Sequence, residues 1–158
     1  MKTEIATREK YTLAVDLDKN RLYFTPIGFW QNPEDFPNFF QDWEKAIAQM
    51  KKGFTGLGDM TKFKTPGPKI KPMLEKVQKM TNDAGLRKTA EVFGEDAAIS
   101  EQSLDNIAKR SGMKKLSFKE IFVREYCIVQ GILWRCFKKR EYECEKLDIR
   151  MITLYSGQ

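Results

Sequence analysis

The chain has 158 residues, a net charge of +6, three cysteines and no histidine. That length supports one domain with a full core. The missing histidine excludes His-assisted Ser or Cys hydrolysis and removes the commonest metal ligand. Three cysteines without a C-x-x-C spacing suggest neither a disulfide framework nor a zinc site.

The charge is unevenly spread. Residues 1–113 carry 18 Lys+Arg against 16 Asp+Glu, while residues 114–158 carry 10 against 6. The basicity therefore belongs more to the tail than to one face of a domain, and nucleic acid is not the expected partner. Met1-Lys2-Thr3-Glu4 leads into polar sequence without the apolar segment of a leader, and no apolar run reaches spanning length. A cytoplasmic protein without a membrane span is the expectation.

Residues 1–10 are charged and aperiodic and are expected to form a loose N-terminal arm. Tyr11-Thr12-Leu13-Ala14-Val15 reads as a strand, residues 16–20 as turn, and residues 21–29 as a second strand, so that the pair forms a hairpin. Asn32-Pro33-Glu34-Asp35 has the form of a helix start, with Asn as cap, Pro at the first position and acids facing the dipole. Phe36, Phe39, Phe40, Trp43, Ile47 and Met50 then recur at helical spacing, and Gly53 supplies the stop. Residues 54–60 are a short strand whose glycines, Gly56 and Gly58, signal a close approach to the backbone. A loop over 61–68 precedes a second helix with Ile70, Leu74, Val77 and Ala84 inward and Gly85 at its end. Residues 86–93 form a strand. Ser100-Glu101-Gln102 opens a third helix carrying Leu104, Ile107 and Ala108, stopped by Gly112, and residues 115–118 form another strand.

Strands joined by single helices lie parallel. The expected fold is thus an α/β domain over 11–118 with a mixed, mostly parallel sheet of about five strands and covering helices. Residues 119–158 form a C-terminal extension, helical over 119–146 and ending in an apolar run at 149–155. An appended helix and a late reading-frame change both account for its abrupt shift in composition.

The order of elements resembles the STAS fold of the anti-sigma-factor antagonists, especially its SpoIIAA-like single-domain members. The residues that carry the resemblance are the strand pair 11–16 and 20–28 ending in glycine, Gly53-Phe54-Thr55-Gly56-Leu57-Gly58-Asp59, Ala84-Gly85-Leu86-Arg87-Lys88-Thr89-Ala90-Glu91-Val92, and Ala108-Lys109-Arg110-Ser111-Gly112-Met113. Together they span roughly two-thirds of the chain, the share expected of a domain with appendages. The family's regulatory residue is a phosphorylatable Ser in an Asp-x-Ser-like signature after the third strand. Asp59 matches the strand-end Asp, but the acceptor position falls near Thr65 or Pro66 and the family's Ser-Ser-Gly is absent.

What the resemblance implies is a non-enzymatic regulatory or binding module with an unidentified protein partner and no cofactor. Its switch loop and partner face would comprise Asp59, Lys62, Lys64, Gly67, Lys69 and Lys76, with Thr61 and Thr65 as phosphoacceptor candidates. Lysines 62, 64, 69, 71, 76 and 79 lie in a stretch whose only acid is Glu75, which supports Lys71 and Lys79 at helical spacing. A solvated helix face is the plainer account of that run, as turn formation is for the threonines. Phe29 and Trp30, at a strand-to-helix turn, are candidates to line an apolar pocket; the alternative function is therefore a carrier or sensor of a small apolar or lipid-like ligand. Asp16, Asp18 and Asn20 loosely resemble a calcium loop but lack its Gly and distal Glu, and a hairpin turn accounts for them. No catalytic or metal constellation stands out. The breadth of the apolar surface over 119–146 predicts a homodimer through the extension, with Trp134 at or near the interface.

Overall fold

The structure, a computed structural model, describes the backbone of residues 1–93, 98–112, 114–115 and 151–156, and the side chains of 1–93 and 103–112. The strands are β1 (Lys2–Thr7), β2 (Tyr11–Asp16), β3 (Arg21–Pro26), β4 (Thr55–Asp59), β5 (Lys88–Phe93), β6 (Lys114–Lys115) and β7 (Met151–Ser156). The helices are α1 (Phe39–Ile47), α2 (Lys71–Asp83) and α3 (Ala98–Arg110), with a 3₁₀ turn at Pro33–Asp35. The chain is an α/β protein with a mixed sheet in the order β1-β2-β3-β4-β5-β7-β6.

Four of the strands expected from the sequence are β2 to β5; the fifth, expected over 115–118, meets β6 only at Lys115, residues 116–118 lying outside the described residues, and β1 and β7 join the sheet as well. Residues 1–10 are not a loose arm, because β1 pairs antiparallel with β2 along most of its length. The pairing register shifts between Glu4 and Ala6, and this bulge lets the consecutive residues Ile5 and Ala6 both reach the core. Two adjacent apolar residues among charges show no period of two, which is why the strand is silent in the sequence.

At the other edge, β7 lies antiparallel between β5 and β6. Among the described strands only the pairs β3–β4 and β4–β5 are parallel, so the expectation of a mostly parallel sheet is corrected. The expected helix over 119–146, and the homodimer built on it, lie outside the described residues.

The first helix also differs from its sequence signal. Asn32 makes no side-chain cap, and Pro33–Asp35 forms only a 3₁₀ turn. Pro37 disfavours helical geometry at the residue before it, and Phe36 stands at φ −128°, ψ 54°. The helix proper starts two residues later. Its stripe survives the break: Phe36, Phe39, Trp43 and Ala46 are buried, while Phe40, Ile47 and Met50 pack half-buried against the core.

Both crossovers, β3–α1–β4 and β4–α2–β5, advance in one direction along the sheet, so right-handedness places the helices on a single face. Trp43 of α1, Leu74 of α2 and Leu104 of α3 accordingly line one cavity with Phe24, Gly58 and Glu91 of the sheet. The register Leu13–Phe24–Gly58–Glu91 runs straight across this face. Ala14, Tyr23, Leu57 and Ala90 form the corresponding row on the opposite face. Strand order does not reverse between β3 and β5, so this part of the sheet lacks the crevice that doubly wound folds use for ligands.

The core is aromatic. Trp30 lies 4.3 Å from Phe36 and meets Phe39 edge-on at 5.6 Å, and Phe24 packs 5.1 Å from Trp43. Charged groups enter it too, Asp42 and Glu91 among them. Asp42 of α1 is buried and accepts hydrogen bonds from the Tyr11 hydroxyl at 2.9 Å and from Arg8 at 3.0 and 3.2 Å, tying α1 to the first two strands. Burial and the neighbouring Asp42 carboxylate push the Tyr11 phenol up to about 12.

Candidate functional site

The residues after β4 form a loop held from behind by main-chain bonds. Met60 N–H extends the ladder to Val92 O at 2.8 Å. Gly28 N–H donates to Lys62 O at 2.9 Å, and Lys64 N–H returns a bond to Gly28 O at 3.1 Å, so that Gly28 and Phe63 make a one-residue parallel bridge. Gly67 N–H donates to Trp30 O at 2.8 Å. Two glycines permit this. Gly28 stands at φ +74°, in the left-handed region, and a Cβ on Gly67 would come within 3.2 Å of the Trp30 carbonyl oxygen.

The loop therefore has two sides. Met60 and Phe63 point inward and are buried. Thr61, Lys62, Lys64, Pro68 and Lys69 are exposed. Asp59 organises the turn: one carboxylate oxygen accepts the Thr61 N–H at 3.1 Å and the Thr61 hydroxyl at 2.6 Å. Thr65 is half-buried. Gly67 belongs to the buried side, so its part in the proposed face is to seat the loop.

Of the two aromatics at the end of β3, Trp30 is fully enclosed and donates its Nε1–H to Ile27 O at 3.0 Å. Phe29 is 44% exposed and adjoins Gly28 and hence the loop. Lys76 is drawn toward α1, its Nζ 4.3 Å from the Phe40 ring centre. The intrahelical support expected from Glu75 goes elsewhere, since Glu75 pairs with Arg110 of α3 at 3.1 Å and Lys79 pairs with Asp83 at 2.9 Å. Among the described residues Lys62, Lys64 and Lys69 form no ion pair.

A concave feature lies on the inner side of this loop. A cavity of about 80 Å³ lies beneath α1 and α2, over the glycine-bearing strand β4. Neither Phe29 nor Trp30 lines it. Its lining includes Met60 and Phe63, the inward residues of the same loop. The glycines at 56 and 58 were the available signal, since both fall on the row facing the helices.

Among the described residues no three His, Cys, Asp or Glu side chains gather as a metal site, and no helix is long and apolar enough to cross a membrane. Compared with family models, curated proteins and solved structures, the chain matches none.

Proposed function

We propose that this chain is a STAS-like, non-enzymatic binding module that presents the loop over 59–69, together with Phe29, to an acidic protein partner. The observation that carries the reading is the combination of a loop pinned by main-chain bonds to Gly28 and Trp30 with outward cations that have no ion-pair partner among the described residues. A pre-organised face loses little entropy on docking, and its charge steers an acidic partner. Phe29 adds an exposed aromatic anchor beside the lysines. The strand-end Asp59 before the loop supports the STAS comparison, and a cytoplasmic location fits such a module.

Thr61 is the better placed of the two phosphoacceptor candidates, being exposed where Thr65 is half-buried. A phosphate on Thr61 would stand against the Asp59 carboxylate that its hydroxyl now contacts, and repulsion would open the turn. Lys62 and Lys64 would draw it outward. The face would thereby lose both its shape and its positive charge.

The test is photo-crosslinking from position 29 in the full chain, repeated with Lys62→Glu/Lys64→Glu and with Thr61→Glu. An acidic protein captured by the natural chain and lost with either variant is the expected result. Capture that is indifferent to the charge reversal would refute the reading.

A further inference from the structure

We propose that the outer edge of β1 pairs with β1 of a second copy of this chain, antiparallel and centred on Thr3, so that two sheets join into one. This interface is separate from the partner face and from the C-terminal extension.

The first observation is an open edge. β1 ends the sheet, and among the described residues its outer side has no strand partner. Lys2, Thr3 and Glu4 are exposed. A free edge is a row of main-chain donors and acceptors that another strand can complete, unless proline, a bulge or charge guards it. β1 contains no proline. Its bulge lies between Glu4 and Ala6, which leaves the stretch up to Glu4 in regular register and ends any outer pairing there.

The second observation is charge. Lys2 and Glu4 flank Thr3 and share one face, in register with Asp16 and Ala14 of β2. A two-fold axis normal to the sheet and passing beside Thr3 sets Lys2 of each copy against Glu4 of the other. Opposite charges directly across a strand pair stabilise it, and like charges destabilise it. Moving the axis by one residue sets Lys2 against Lys2, or Glu4 against Glu4. The charges that would guard the edge against other strands thus select a single register for a second copy. In one chain Lys2 Nζ lies 4.8 Å from the Tyr23 ring centre, and Glu4 accepts from Thr7 Oγ1 at 2.9 Å. These are surface contacts that a facing opposite charge replaces. The N-terminal ammonium pairs with Asp16 and Asp18 of its own chain, which keeps the start of the strand in place.

Such an isologous contact closes at two copies and does not grow into a fibre. Because the axis reverses strand direction, the two loops after β4 stand at opposite ends of the joined sheet. The overlap is short, so the dimer belongs with small, weak interfaces.

The experiment is sedimentation equilibrium of the full chain from about 10 μM to about 1 mM, the span of weak affinities. It compares the natural chain with Lys2→Glu, Glu4→Lys and the double variant Lys2→Glu/Glu4→Lys. The natural chain is expected to dimerise, with each single reversal weakening the dimer about tenfold or more and the double variant recovering to within about threefold. An equimolar mixture of the two single variants should associate like the natural chain, since each supplies the sign that the other lacks. A chain that stays monomeric throughout would leave the edge to a different strand and overturn the proposal. A dimer indifferent to the reversals would also overturn it, by placing the interface elsewhere. So would loss in the single variants without recovery in the double variant or the mixture, because β1 itself would then be damaged.

Discussion

Arg8, just beyond β1, closes a two-pronged hydrogen-bonded ion pair on Asp42 of α1, with its Nε at 3.0 Å and its Nη2 at 3.2 Å from the two carboxylate oxygens. The acid is fully buried while the guanidinium remains half in solvent. Asp42 holds Arg8 above the ordinary guanidinium range through that hydrogen bond and charge. The pair joins the N-terminal strand, which looked unstructured, to the first helix.

Replacing Asp42 by alanine leaves the buried Tyr11 hydroxyl without its acceptor. The expected loss is about 1–3 kcal/mol, the cost of an unsatisfied buried polar group. Urea unfolding monitored by far-UV circular dichroism measures it, with an unchanged m-value marking a native state of the same compactness. No change in midpoint would show that the network contributes nothing.

The same network makes an alkaline prediction. Tyr11 ionises near 12 in the folded chain against an ordinary value of 10.0. The folded state therefore holds this proton more tightly than the unfolded state. Its contribution to stability is complete below pH about 10 and is lost as pH rises through about 12. The difference in stability between the natural chain and Tyr11→Phe should accordingly shrink across that window. A constant difference from pH 9 to 12 would contradict the assignment.

Trp43 of α1 is buried against Phe24 of β3 and against Phe39 of its own helix. Truncation to alanine should cost about 3–5 kcal/mol, as for other large aromatic core deletions. Thermal unfolding of the variant checks this, and an unchanged melting temperature would mean that α1 packs in another register.

Gly67→Ala tests how tightly the loop is seated. The added methyl would stand 3.2 Å from the Trp30 carbonyl oxygen, a backbone atom with little freedom to yield. The expected cost is about 1–3 kcal/mol, in the range of overpacking. Hydrogen exchange at the Gly67 and Lys64 amides should accelerate more than exchange in β2 or β3. Equal acceleration everywhere would show that the loop is no separate unit.

Deleting residues 151–158 removes β7 from its place between β5 and β6. The hydrogen-bonding edge of β5 would then be bare over six residues, Lys88 to Phe93. Exposed edges of this kind pair with other chains, so aggregation is expected in light scattering. A soluble, folded truncation would show that β7 is dispensable.

Periodicity alone determined the central elements of this protein. The strands at 11–15, 21–29, 54–60 and 86–93, and the apolar stripes of the three helices, follow from local burial patterns, because each side chain's neighbours along the chain report its face. The strand-end Asp59, the exposed lysines and the two glycines of β4 were equally readable as residues. What only the tertiary structure decided was non-local. β1 hides behind a bulge, α1 is cut short by Pro37, and β7 enters the sheet far from its neighbours in the chain, because pairing across a sheet depends on partners that no local window contains. Trp30 is closed off, Phe29 is left outside, and the helix-facing glycines floor a cavity that Trp43 helps to line. Such outcomes depend on three-dimensional packing, where shape and partner geometry rather than composition set the energy.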